Sequence, residues 1–118
     1  MVMISKGMYD KHVVVDLADG TRQEMVLKPL PAKYLPKLFK LANELTIDDK
    51  DLSDDDKNHR MLEVLSRQEV MDDLVLLCTE TLKKSYPDLS DDAINEFVTI
   101  NGFTFITKVF EVNIRTKQ

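Results

Sequence analysis

The chain has 118 residues, 43% of them apolar and 31% charged, with a formal charge of -5 and a pI near 5.0. That balance describes one globular domain, residues 1–118, able to bury roughly two-thirds of the surface its unfolded form exposes. It speaks against wrapping nucleic acid, which requires clustered lysine and arginine, and no apolar run approaches the roughly 20 residues of a membrane span.

The amino terminus, M-V-M-I-S-K-G-M-Y-D, has neither a useful apolar stretch nor a small-residue cleavage site, so a cytoplasmic protein is expected. From 9 to 28 the pattern alternates, with His12 to Leu17 and Gln23 to Lys28 flanking Ala18-Asp19-Gly20-Thr21. Asp-Gly between two apolar runs predicts a β-hairpin, because glycine accepts the positive φ of a tight turn. An isolated ribbon is marginal in water, so a face holding Val13, Val15, Leu17, Met25 and Leu27 needs helices beneath it or another chain at its edge.

A helical region is expected over 31–114, as four to five helices. Pro29, Pro31 and Pro36 place the first helix start between Pro31 and Pro36, since proline suits only a first turn. Leu38, Leu41, Ala42 and Leu45 continue it at helical spacing, with Lys33, Lys37 and Lys40 toward the outside. Residues 28–40 hold four lysines and no acid, which reads either as a solvated helix face or as a basic docking patch.

Residues 47–56, I-D-D-K-D-L-S-D-D-D, predict an exposed acidic loop. Its spacing approaches a calcium loop, but Asp54 stands where glycine is needed and Arg60 where the bidentate glutamate belongs, so no metal is expected. Ser53 with Asp56 resembles a capping arrangement, and Met61, Leu62, Val64 and Leu65 supply the helix that follows. Ser66, Arg67 and Gln68 either kink that helix or divide it from the next.

The stretch 68–92 is a central helix, its stop and a new start. Met71, Leu74, Val75, Cys78 and Leu82 recur at steps of three and four, and Leu76 and Leu77 widen the apolar surface, predicting neighbours on two sides. Cys78, the one cysteine, reads as a small buried hydrophobe. Lys83, Lys84 and Pro87 end the helix; Ser90 before Asp91 and Asp92 caps another. Asn101-Gly102 suits a left-handed C-cap at its end, and a last short helix over 103–114 gathers Phe103, Ile106, Val109 or Phe110 on one face, with Phe105 lying off it. Three phenylalanines so close together suit a core better than a surface, though not all three need be inside.

Catalytic chemistry has no foothold here. His12 and His59 have no nucleophile pattern around them, three glycines leave no phosphate loop, and the carboxylates cluster where helix starts and solvent want them. No enzyme, cofactor or metal is expected.

The order of elements is more specific than any motif. L-V-L-L-C-T-E-T-L-K-K-S-Y-P-D-L-S-D-D-A-I-N-E-F-V-T over 74–99 and F-I-T-K-V-F-E-V-N over 105–113, behind the hairpin, the lysine- and proline-marked lead-in and the acidic loop, resemble the tail assembly chaperones of long-tailed bacteriophages and prophages. The resemblance implies a small, mostly helical protein that works in the host bacterial cytoplasm. It binds the tape measure protein, helps recruit tail tube subunits and is absent from the mature virion. It also implies the short form of a pair whose longer form arises by frameshifting, and it carries over no catalytic residue. Tyr34, Leu38, Phe39, Phe105 and Phe110 are the expected cover for apolar stripes of a helical partner, and the hairpin edge or the Lys33, Lys37 and Lys40 patch the expected contact between copies in a homo-oligomer. The alternative is a small acidic adaptor or regulatory protein bound to a host target.

Overall fold

A computed structural model describes residues 10–45 and 53–114. The described chain is a small helical domain led by an antiparallel hairpin: β1 (Lys11–Asp16), β2 (Arg22–Leu27), a 3-10 turn (Ala32–Tyr34), then α1 (Leu35–Leu45), α2 (Asp54–Leu65), α3 (Gln68–Ser85) and α4 (Asp91–Asn113).

The hairpin forms where the alternation and the turn residues place it. Leu17 N–H donates to Thr21 O at 2.8 Å and Gly20 N–H to Leu17 O at 3.0 Å, while Gly20 takes φ 88°. This is a type I turn followed by a left-handed glycine, a three-residue loop that keeps the strands in twist. The Asp19 carboxylate accepts from the hydroxyl and N–H of Thr21, which hold it below its usual carboxylate range. Val13, Val15, Met25 and Leu27 face inward and Leu17 is half-buried against the same core.

Beneath the sheet β1 lies against α4 and β2 against α3, and α3 and α4 pack on each other. The helices also hold the hairpin by hydrogen bonds. Asn101 Oδ1 accepts from Ala18 N–H (2.9 Å), Tyr86 Oη from Val26 N–H (2.9 Å), Ser85 Oγ from Lys28 N–H (2.9 Å) and Asn113 Oδ1 from Leu30 N–H (2.7 Å). Each satisfies a backbone donor that would otherwise lose its water on folding.

The 3-10 turn after Pro31 runs directly into α1, whose second residue is Pro36, so the start falls between the two prolines as expected. Ser53 Oγ accepts from Asp56 N–H (3.2 Å) and Ser90 Oγ from Ala93 N–H (3.1 Å), capping α2 and α4. Most of the expected acidic loop lies outside the described residues; 54–56 form the first turn of α2. Ser66 and Arg67 divide α2 from α3 rather than kinking one helix, with Ser66 Oγ donating to Glu63 O at 2.6 Å.

Two expectations need correction. In α3 the buried set is Val70, Leu74, Leu77, Cys78, Thr81 and Leu82, with Met71 half-buried and Val75 exposed. The helix has neighbours on several sides, α1, α2, α4 and β2, and their joint direction rotates the inward face away from Val75. Thr81 tolerates burial because its hydroxyl donates to Leu77 O at 2.8 Å.

The second correction is larger. Asn101-Gly102 ends nothing: α4 runs unbroken through both residues, and the one positive φ among the described residues is that of Gly20. Ile94, Val98, Phe105, Ile106, Val109 and Val112 keep helical phase across 101 and 102, so a continuous helix buries both halves on one side. Asn101 is spent on Ala18 N–H, and Gly102 brings α3 close: a Cβ there would sit 3.2 Å from Leu74 Cδ2 and 3.6 Å from Val98 Cγ1. Gly102→Leu therefore forces α3 and α4 apart and lowers stability by about 1–3 kcal/mol in urea denaturation. Gly102→Ala comes out within about 1 kcal/mol of the natural protein, since gained helix propensity offsets a contact with the movable end of Leu74.

Candidate functional site

A 23-residue helix apolar on one side needs one set of neighbours, but α4 is apolar on two. On a second side stand Ile100, Phe103, Thr107 and Phe110, spaced by three, four and three, with Ile114 just past the end of the helix, where the backbone is extended. That is the a/d spacing of a coiled-coil seam, in which a helix presents a narrow uncharged stripe to another helix. Ile100 and Phe103 are 54% and 55% exposed, Thr107 is exposed, and Phe110 and Ile114 are half-buried at the margin of the core. No charge enters the stripe; Lys108 and Glu111 pair beside it at 3.3 Å.

The structure divides the five residues expected to cover a partner. Leu38 and Phe105 are both 0% exposed and leave the set, because each packs wholly inside. Phe105 meets Phe97 edge-on, ring centroids 5.2 Å apart. Phe39 is exposed, and Tyr34 and Phe110 are half-buried. The expected outward and inward places of Phe105 and Phe103 are reversed. Once α4 is continuous, Phe105 falls in phase with Val98 and Val109, and Phe103 turns out. Ile100 and Phe103 were missed as surface residues for that reason, although the 100, 103, 107, 110, 114 spacing is present in the sequence.

The lysines are exposed but not a free basic patch. Lys37 pairs with Asp73 (3.5 Å) and Lys40 approaches Glu69 (4.0 Å), joining α1 to α3, while Lys33 stands 5.2 Å from the Tyr34 ring centroid. Such exposed pairs are each worth about 0–1 kcal/mol, so they orient α1 more than they hold it.

Among the described residues no group of three or more His, Cys, Asp or Glu side chains could hold a metal ion, and no helix is long and apolar enough to cross a membrane. His12 and His59 are both exposed. Cys78 is buried between α3 and α4, its Sγ 3.9 Å from Gly102 O, and burial pushes its thiol up to about 12. Reactivity follows the thiolate, so the native protein at pH 8 resists a thiol reagent and labels only on unfolding. Rapid stoichiometric labelling of the folded chain would show that α3 and α4 separate readily.

Comparison with protein-family models, with curated proteins and with solved structures gave no match to this chain.

Proposed function

We propose that this protein is a tail assembly chaperone of a long-tailed bacteriophage or prophage, whose α4 seam covers an apolar stripe of the tape measure protein until tail tube subunits replace it. The observation that carries this is the seam from Ile100 to Phe110, about 15 Å long at 1.5 Å rise per residue and free of charge along its length. A long helical chain exposes such stripes before its tube assembles, and an uncovered stripe aggregates. A helix laid against it removes apolar surface from water and leaves the polar faces of both partners wet. The resemblance in the order of elements points to the same partner, and with it to recruitment of tube subunits in the host bacterial cytoplasm and absence from the finished virion.

The placement of carboxylates supports this reading over an acidic adaptor. Asp54, Asp55 and Asp56 open α2, Glu69 opens α3, and Asp91 and Asp92 open α4, where each meets the positive end of a helix macrodipole. These six, among the described residues, serve local helix starts.

Co-expression with a candidate tape measure protein tests the proposal. The expected result is a soluble complex that co-purifies at moderate salt, with the tape measure protein insoluble when expressed alone. A tape measure protein that stays insoluble while this chain purifies by itself would overturn it.

A further inference from the structure

Among the described residues the two outer edges of the hairpin are covered to different extents. The bond from Leu17 N–H to Thr21 O fixes that pair as hydrogen-bonded, and alternation along the ladder then turns Val13 and Val15 toward β2. The backbone N–H and C=O groups of His12, Val14 and Asp16 point away from it. On the β2 side the outward N–H of Val26 and those of Lys28 and Leu30 beyond it are taken by Tyr86, Ser85 and Asn113, so that edge is open only at Arg22 and Glu24, next to the turn. On the β1 side, among the described residues, nothing takes those of His12, Val14 and Asp16. This edge of six residues has no proline, and an open strand edge is a template for another strand.

We propose that β1 pairs antiparallel with β1 of a second copy about a two-fold axis at Val14, making a four-stranded sheet in the order β2, β1, β1, β2. The register is self-complementary. Val14, 45% exposed, faces the Val14 of the copy, and His12 faces Asp16 on either side of the axis, so all three outward residues find hydrogen-bonding partners. Sliding the strands two residues one way sets Asp16 against Asp10 of the copy; sliding them the other way sets Asp16 against Val14 and His12 against Ala18. A slide of one residue sets outward groups against groups already used in the ladder. The approach of two carboxylates disfavours the first slide, and the second leaves neither His12 nor Asp16 opposite a polar side chain. The proposal concerns self-assembly and stands whatever partner α4 takes.

Sedimentation velocity on the purified chain tests it. The natural protein sediments as a dimer. Val14→Pro sediments as a monomer with unchanged far-ultraviolet circular dichroism, because the N–H it removes is not part of the β1–β2 ladder. His12→Asp, placing carboxylates opposite each other at two symmetric positions, weakens the dimer by roughly tenfold, and adding Asp16→Lys with Arg22→Glu, which keeps the 3.1 Å cross-strand pair of 16 and 22 with its signs exchanged, restores it. That charge pair decides the matter if Val14→Pro fails to fold. A natural protein that remains a monomer at about 100 μM would overturn the proposal, since its Kd would lie above that concentration. So would a dimer indifferent to both edge changes, or one lost with Phe103→Glu and kept in the edge variants, which would put the contact on α4.

Discussion

Phe105→Ala lowers the stability of the folded chain by about 3–5 kcal/mol, whereas Phe103→Ala, two residues earlier in the same helix, changes it by about 0.5 kcal/mol or less. Phe105 is wholly buried, edge-on to Phe97, so truncation leaves a cavity that neighbouring side chains fill only in part. Phe103 stands in solvent and loses little. Against a total of about 5–15 kcal/mol for a typical domain, the first change removes a large share of the folding free energy. Urea denaturation followed by circular dichroism reads both. Equal midpoints for the two variants would contradict a continuous α4, because only an unbroken helix puts Phe105 in phase with Val98 and Val109. Because Phe105 is wholly buried, a change there reads folding and says nothing about partners.

The hairpin and the helix starts were legible because their causes are local. Asp19-Gly20 turns the chain by its own φ preference, Ser53 and Ser90 cap with their own hydroxyls, and Pro87 needs no distant contact to stop α3. Tyr86 before it has φ -134° and ψ 73°, outside the helical region, as a residue preceding proline should. Asn101-Gly102 misled because its reason is tertiary. The pair satisfies a local stop signal, but Asn101 serves the hairpin loop at Ala18 and Gly102 serves the approach of Leu74, both far along the chain. The inward face of α3 was read in part: Leu74, Cys78 and Leu82 lie inside, but Val75 is exposed and Val70 and Thr81 were missed, since several neighbours, not one stripe, set it.

The candidate site was legible in part for the same reason. Lys33, Lys37 and Lys40 look unpaired in a segment without acid, and the carboxylates that meet two of them, Asp73 and Glu69, arrive from a different helix. Leu38 and Phe39 are adjacent apolar residues, and periodicity could rank them only once the direction of α3 from α1 was known; Leu38 went inside and Phe39 stayed out. The α4 seam was hidden by a single misplaced boundary. Dividing the helix at 101 and 102 broke a heptad pattern that runs straight across it, and with it the phase relation between Ile100 and Phe103.

With glutamate at both Ile100 and Phe103, the proposed complex with the tape measure protein weakens at least about a hundredfold, while the fold stays within about 1 kcal/mol of the natural protein. Both residues are more than half exposed, so neither contributes much to the core, and glutamate is a good helix former. In the complex each would bury an apolar side chain worth about 1.5–3 kcal/mol, and each replacement instead carries a charge into a seam that supplies no partner for it. Isothermal titration or quantitative co-purification measures the loss, with the thermal midpoint of the isolated variant as the check on folding. Leu62→Glu is the matched control: Leu62 is also an exposed apolar residue but lies on α2, away from the seam, and its complex should keep the natural affinity. If the double variant binds as well as the natural protein, α4 is not the contact. Should Phe39→Glu then abolish binding, the cover lies on α1, and the outward stripe of α4 loses its role as the site.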